Sequence, residues 1–257
     1  MSTAPTAGAA SSAEEVTLVE HAMALIREDL IAGALPPGKK LAVQELVNRY
    51  EIGATPIREA LSRMSLSGMV IPIGNRGFRA SELSFEDLSD ITAVRQVIEM
   101  EALRRSIALG GLAWESSIVA ALYQLQRLGA RTSSEGEPAS ESAFDLAHKA
   151  FHRSLIAACA SPRMLDLHDS LYDQAHRYRR VMMRSVRSEA AFNEKHQQLV
   201  DSVLSRDPDV ACTALSHHLG LALAFVYPHR KQDMSVLARP AELGGQNGRT
   251  KIATGRG

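Results

Sequence analysis

The chain has 257 residues, 45% of them hydrophobic, which is the length of two modest domains and enough apolar material for two ordinary cores. Its 29 basic and 29 acidic side chains cancel, so the overall charge gives no sign of a nucleic-acid partner, and such a function must come from a local motif. The two cysteines, Cys159 and Cys212, do not form a CxxC pair and fit core residues in a reducing compartment. Without a signal-peptide pattern or an evident membrane span, the sequence predicts a cytoplasmic protein with no membrane partner.

The first third of the chain combines short helices with one hairpin. Apolar side chains recur at helical spacing, and glycines such as Gly33 and Gly68 end the helical runs. We predict a disordered leader at residues 1–15, helices at 16–32, 43–50 and 55–67, and a β-hairpin formed by 69–73 and 78–80. Two short helices followed by a hairpin are typical of a winged helix-turn-helix, which we assign to residues 16–80.

After residue 81 the pattern is helical throughout. Ser84 with Asp87 resembles a capping box that opens a helix ending at Gly110-Gly111. Further helices are expected at 114–128, 141–159, 162–184, 189–205 and 208–227, with a polar loop at 129–140 and a disordered tail at 230–257. The sequence therefore predicts a mainly α protein in which an all-α antiparallel helical bundle over 84–229 follows the winged domain.

The third predicted helix has the two faces of a DNA-recognition helix. Its apolar side holds Ile57, Leu61 and Met64, and its polar side faces away from the expected core. Residues 17–80 carry eight basic and six acidic side chains, a net charge of only +2, and Glu59 could hold Arg58 as a partner within the helix. The candidate DNA contacts on this helix and on the wing are Thr55, Arg58, Arg63, Asn75, Arg76 and Arg79.

Four histidines of the helical part lie on faces that point toward its core. His148 and His152 are four residues apart and share one face, while His196 and His218 align with apolar neighbours on two later helices. Because unpaired buried imidazoles are costly, this set predicts a divalent metal site, with zinc as the metal and nickel as the alternative.

Other polar residues of this part receive secondary roles. Asp145 lies one turn before His148 and is a candidate to orient a metal ligand. His217 is the rival of His218 and is assigned to the surface by periodicity, and His168 and His176 are interpreted as structural.

Motifs in the first third resemble the DNA-binding head of the GntR family. They are Leu35–Leu41 (LPPGKKL), Thr55–Leu61 (TPIREAL), Gly68–Val70 and Asn75–Phe78, in the family's order and at its separations. The chain departs from the family at Gln44 and at 51–54, where arginines are usual. The resemblance therefore implies DNA contact only for Thr55, Arg58 and the wing, and it leaves the operator sequence open.

The helical part resembles the FCD effector domain of the FadR-type branch of that family. The matching elements are Val94-Arg95-x3-Glu99, His148-x2-Phe151-His152, Lys195-His196 and His218-Leu219, so that the resemblance spans residues 17–229. His148 stands where the family usually has aspartate, which removes a negative charge and favours borderline metals over magnesium. Arg95 is either a contact of a carboxylate effector or a partner of Glu99. Residues 110–115, 144–152 and 171–179 also resemble CsiR-type repressors, which are associated with glutarate and 2-hydroxyglutarate catabolism.

The expected function is a dimeric repressor rather than an enzyme. It would bind a palindromic double-stranded operator and be released by a small carboxylate such as glutarate or 2-hydroxyglutarate, bound near the metal. Two alternatives stay open. A metal-dependent hydrolase or lyase could use the same histidines with Asp145 or Glu99 as the acid, but it leaves the winged domain unexplained. A metal-sensing repressor keeps the fold and makes the metal itself the signal.

Overall fold

A computed structural model of the chain describes residues 17–135, 138–182 and 189–230. These residues form nine α-helices and one three-stranded sheet, which confirms the mainly α class. In chain order the elements are α1 (Leu18–Ala32), β1 (Lys40–Leu41), α2 (Val43–Tyr50), α3 (Ala54–Ser65), β2 (Val70–Pro72), β3 (Phe78–Ala80), α4 (Phe85–Leu109), α5 (Leu112–Glu135), α6 (Pro138–Leu155), α7 (Pro162–Met182), α8 (Glu189–Leu204) and α9 (Pro208–Val226). The predicted leader at 1–15 and the predicted tail beyond residue 230 lie outside the described residues.

The N-terminal domain, which we call the head, is built from α1–α3 and the sheet. Thr17 caps α1 through a reciprocal capping box with Glu20, and Gly33 ends that helix in the left-handed conformation at φ 78°. The apolar faces of the three helices meet the inner face of the sheet. The core of the head consists of buried side chains such as Ala22, Ile26, Leu30, Leu41, Leu46, Ile57, Leu61, Met64 and Val70.

The predicted hairpin is present, and it has a third strand that the sequence pattern did not indicate. β2 and β3 pair antiparallel with Ile71 opposite Arg79, and β1 adds to the other side of β3 with Lys40 opposite the same residue. The strand order is therefore β1-β3-β2. β1 has only two residues, which is too short for apolar and polar positions to alternate visibly.

The predicted loop at 129–140 is wrong, because helix continues through most of it. α5 runs to Glu135, and α6 already begins at Pro138. Gly129, which suggested a turn, lies within α5, where a Cβ would come within 3.3 Å of the Phe144 ring. The glycine therefore allows α5 and α6 to approach closely and does not break the helix.

The helical domain packs α4, α7, α8 and α9 around one another and closes with the α5–α6 hairpin. Ser84 caps α4 by accepting a hydrogen bond from the Asp87 amide at 3.1 Å, as predicted. Tyr178 of α7 completes this cap, because its hydroxyl accepts from the Ser84 amide at 3.2 Å and donates to the Asp87 carboxylate. Cys159 and Cys212 are buried thiols, as predicted.

In the part of the chain that the structure describes, one helix qualifies as a membrane span by length and composition alone, whereas the sequence analysis expected none. This helix is α9, which has 19 residues. Its inward residues Ala211, Leu215, Leu219 and Leu223 are buried in the core, and α9 packs against α4 and α8. The apolar character of α9 is therefore that of a core helix.

α7 is the helix of the helical domain that contacts the head. α1 packs against it, with the Arg27 guanidinium 3.5 Å from the Asp173 carboxylate. The second oxygen of Asp173 is 2.6 Å from the ammonium of Lys149 on α6. Arg177 donates to the hydroxyl of Ser81 at 2.5 Å and to its carbonyl at 2.9 Å, and so holds the segment that joins the two domains.

Candidate functional site

Four histidines meet in the middle of the helical domain, as the sequence predicted. His148 and His152 come from α6, His196 from α8 and His218 from α9, and one nitrogen of each lies within 4.8 Å of the others. The Nε2 atom of His148 is 3.0 Å from Nε2 of His196 and 3.1 Å from Nε2 of His152. His217 is exposed, as its periodicity indicated.

The surroundings orient two of these rings. Nδ1 of His196 lies 2.7 Å from the carbonyl oxygen of Phe192, to which it donates when Nε2 is left unprotonated. Nδ1 of His148 faces the Tyr172 hydroxyl at 2.7 Å and the Arg179 guanidinium at 2.8 Å. Nδ1 of His152 is buried and has no hydrogen-bond partner among the described residues.

Burial keeps the cluster neutral near pH 7. It holds the pKa of His148, His152 and His218 well below the ordinary histidine value, and neighbouring histidines and arginines lower each pKa further. Burial also lowers the pKa of His196 to about 4. Neutral imidazoles are the form that binds metal, so these rings need not release a proton to the solvent to do so.

The residues present fit a divalent metal ion. Nε2 of His148 lies about 3 Å from Nε2 of His152 and of His196, which is close to the separation expected for nitrogens that would bind one ion at about 2.0–2.1 Å. The four-imidazole set suits zinc or nickel better than magnesium, which prefers oxygen ligands. No carboxylate belongs to the set, so a bound divalent ion would keep its full charge.

The cluster opens on a cavity of about 240 Å³. Phe144, Phe192 and Phe225 form much of its apolar wall. Its cationic lining residues are Arg95, Arg179 and Lys195, of which the last lies 4.8 Å from the centre of the Phe225 ring. The cavity therefore combines apolar walls with positive charge beside the histidines, which is typical of a site for a small anion.

Arg95 lines this cavity, where an effector contact would lie. It also pairs with Glu99, the alternative partner that the sequence indicated. Its Nε atom donates to Glu99 at 2.8 Å, and both side chains are buried. The same oxygen of Glu99 lies 3.1 Å from Nδ1 of His168, so His168 has the structural setting that the sequence suggested. Although burial raises the pKa of Glu99, Arg95 and His168 outweigh it and leave that pKa below its ordinary value.

The sequence made Asp145 a candidate to orient a metal ligand, whereas in the structure two side chains of α7 engage its carboxylate. Its carboxylate lies 3.1 Å from Nε2 of His176 and 3.2 Å from Nε of Arg180, because two donors of α7 face it across the α6–α7 contact. The group that contacts Nδ1 of His148 is instead the Tyr172 hydroxyl. Burial raises the pKa of this hydroxyl to about 12. Tyr172 therefore stays protonated and can both accept and donate a hydrogen bond.

The contribution of α7 to this cavity was not predicted from the sequence. Tyr172, His176 and Arg179 line it, and all three are on that helix. With His168 they recur at intervals of four, four and three residues, which places them on one face of a helix. A polar stripe at this spacing inside a bundle was the available signal.

The candidate DNA-binding residues lie on the open face of the head. Thr55 and Arg58 are exposed on α3, and Arg76 and Arg79 are exposed on the wing. Glu59 pairs with Arg63 at 2.5 Å and not with Arg58, the partner that the sequence suggested. The side chain of Asn75 lies outside the described residues.

A winged helix-turn-helix joined to a helical domain with a charged internal cavity defines a DNA-binding regulator with an effector domain. Residues 18–79 match the gntR family of bacterial regulatory proteins, and residues 90–221 match the FCD domain. The chain belongs to the gntR family, with an FCD domain after its DNA-binding head, and it is a transcriptional regulator of that family.

Relatives of this chain are named as transcriptional regulators. The uncharacterized HTH-type transcriptional regulator BphR of Paraburkholderia xenovorans (strain LB400) is 32% identical over 210 residues, which is 82% of this chain and 85% of that protein. The HTH-type transcriptional repressor GlaR of Escherichia coli (strain K12) is 34% identical over 198 residues, 76% of this chain and 89% of that protein. The solved structure of E. coli McbR/YncC shares the fold, with a TM-score of 0.69 at 17% identity over 84% of this chain and 99% of that one. The resemblance to CsiR-type repressors stays a prediction, because none of these names carries it.

Proposed function

We propose that this protein is a dimeric cytoplasmic repressor that a small carboxylate releases from its operator. The observation that carries the proposal is the histidine cluster, which opens on a cavity lined by arginine and lysine. The name of GlaR, a repressor that shares most of its length with this chain, supports the direction of the response. The four histidines would hold the metal, zinc first and nickel second.

A bound divalent ion would supply a Lewis-acid site for one carboxylate oxygen of the effector. The chain's own residues set the rest of the site. Phe144 and Phe192 exclude water from one wall, and Arg179 and Lys195 add positive charge at the cavity. Since the cavity is small, the structure favours a compact acid of the size of glutarate or 2-hydroxyglutarate over a long-chain one.

The signal would reach DNA through α7. Tyr172 and Arg179 of this helix border the cavity, and Asp173 and Arg177 contact the head and the joining segment. A displacement of α7 on effector binding would therefore tilt the head, and in a dimer it would change the separation of the two recognition helices. Half-sites in such operators lie about 34 Å apart, so a few ångströms of change weakens binding to both at once.

The DNA contacts proposed for the head are those predicted from the sequence. α3 would enter the major groove with Thr55 and Arg58, and the wing would reach the backbone or the minor groove with Asn75, Arg76 and Arg79. Arg63 is a weaker candidate, because it would first have to leave Glu59.

A hydrolase or lyase at the same histidines is less well supported. Such an enzyme needs a carboxylate free to act as acid or base near the metal. Glu99 is engaged by Arg95 and His168, and Asp145 by His176 and Arg180.

Operator release tests the proposal. A labelled duplex from the protein's own promoter region is bound by zinc-loaded protein, and fluorescence anisotropy follows release by glutarate, 2-hydroxyglutarate, succinate and butyrate. We expect release by the C5 diacids, weaker release by succinate, and none by butyrate. If zinc alone sets operator affinity and no acid changes it, the protein is a metal sensor. If the loaded protein binds no promoter duplex, the proposal fails.

A further inference from the structure

The contact between Arg179 and His148 fixes where the proton sits on that imidazole. The guanidinium nitrogen Nη2 lies 2.8 Å from Nδ1 of His148. Because arginine offers only N–H donors, Nδ1 must be the acceptor in this contact, and a neutral ring then carries its proton on Nε2. Nε2 is the atom that faces His152 and His196. The contact therefore belongs to a state in which His148 does not bind metal.

Metal binding through Nε2 reverses these roles. Nδ1 then carries the proton and becomes a donor. The Tyr172 hydroxyl, 2.7 Å away, can accept that hydrogen bond, but Arg179 cannot, since N–H would face N–H. The charge of a divalent ion also repels the guanidinium. Metal loading must therefore break the contact between Arg179 and His148.

Arg179 then forms no ion pair with a carboxylate of the described residues, because Asp145, whose pKa it helps to lower, pairs with His176 and Arg180. Its remaining contacts in the described part of the chain are with Tyr172, at 3.3 Å from the hydroxyl oxygen and 6.0 Å from the ring centre. The other nearby arginines differ, because Arg95 pairs with Glu99 and Arg180 with Asp145. Arg179 lines the cavity, so its donors are available to a molecule bound there.

We propose that Arg179 is the second anchor of the anionic effector and that metal loading makes it available, so that the carboxylate binds only to the loaded site. This inference rests on the proposed function, which places a metal and a carboxylate in this cavity. The planar fork of Arg179 matches one carboxylate group, and a divalent ion attracts the other. A diacid therefore binds more tightly than a monoacid of the same length, and Arg95 remains a structural partner of Glu99.

Calorimetry on the full chain tests both parts, with zinc and glutarate as the probes. We expect metal-free wild-type protein to bind no glutarate measurably and zinc-loaded protein to bind it. In Arg179→Met, zinc affinity should rise threefold or more, since a cation no longer opposes loading. Glutarate affinity should fall tenfold or more, the size of one lost charge-assisted contact. Arg179→Lys keeps the charge without the fork, so its glutarate affinity should lie between the two.

Arg153→Met is the matched control, because it removes the same charge from α6 beside a metal ligand. Arg153 is exposed and pairs with Asp169 at 3.1 Å outside the cavity, so zinc and glutarate affinities should stay within twofold of wild type.

Equal glutarate binding with and without zinc overturns the dependence of glutarate binding on the metal. Unchanged zinc and glutarate affinities in Arg179→Met overturn the role of Arg179 as the second anchor. Loaded wild type that binds no glutarate overturns the diacid class. A wild type that takes up no zinc overturns the proposed function as well. If circular dichroism shows that Arg179→Met does not fold, two other measurements test the proposal. They are the glutarate affinity of Arg179→Lys and the comparison of metal-free with zinc-loaded wild type.

Discussion

Among the described residues, the head buries only apolar side chains, whereas the helical domain buries histidines, arginines and carboxylates beside its apolar core. The polar candidates of the head, Thr55, Arg58 and Arg79, face outward. Burying polar groups without partners is unfavourable, so their concentration in one domain marks the place where something other than packing is selected. The candidate DNA contacts therefore lie on the surface of the head, and the candidate metal site lies inside the helical domain.

The buried polar groups of the helical domain differ again among themselves. Arg95 and Glu99 form a buried pair in which opposite charges balance. The histidine cluster has no such balance, because its nitrogens face one another and Nδ1 of His152 has no partner among the described residues. A balanced set is structural, and an unbalanced one leaves room for a ligand.

The largest expected effect on this difference between the domains comes from removing histidines of the cluster. We expect purified wild-type protein to hold about one divalent ion per chain and His152→Ala/His196→Ala to hold none, since two of four ligands are lost. Elemental analysis of both proteins after gel filtration measures this. The helical content should be retained, and a double variant with wild-type metal content would refute the site.

The pH dependence of stability should separate the two domains. In metal-free protein the pKa of His196, at about 4, lies below its unfolded value of about 6.5, so the unfolded chain binds more protons between these limits. The contribution of His196 to the free energy of unfolding is fully present above pH 6.5. It is lost as the pH falls toward 4, by about 3 kcal/mol for this residue. His148, His152 and His218 act in the same direction because burial lowers each pKa.

Urea unfolding followed by fluorescence of Trp114, the single tryptophan, measures this in the helical domain. His196→Gln is the control and should show a shallower fall with pH. A helical domain equally stable at pH 7 and pH 4.5 would show that the histidines are not held neutral by the fold.

The smallest expected effect concerns the head, where function lies on the surface. Arg58→Ala should lower operator affinity by about tenfold to a hundredfold, equivalent to about 1–3 kcal/mol, with no loss of helix content. Arg105→Ala removes another exposed arginine, on α4, where it pairs with Glu101, and should leave operator affinity unchanged. Anisotropy titrations at one salt concentration compare the three proteins. Wild-type affinity in Arg58→Ala would mean that α3 is not the recognition helix.

Sequence periodicity predicted most elements and the metal-ligand candidates, because both depend on residues that share one face of one helix. Periodicity failed for residues whose role depends on a contact with another helix or strand. Gly129 suggested a turn, but the ring of Phe144 on the next helix explains it. Arg95 could not be assigned without the position of Glu99, and Asp145 could not be placed without the two donors of α7. The strand at Lys40–Leu41 exists because β3 offers it an edge.

The position of α7 has a consequence for how this regulator can be recombined. The two family matches leave a junction between residues 79 and 90, but the contacts between the two parts are not confined to it, because Asp173 and Arg177 of α7 hold Arg27 of the head and Ser81 of the joining segment. A chimera that receives a foreign head at residue 81 would leave the Asp173 carboxylate and the buried guanidinium of Arg177 facing unmatched surfaces. Exchange of heads between such proteins therefore has to carry the outward face of α7 along with the head, although that face is encoded about ninety residues later.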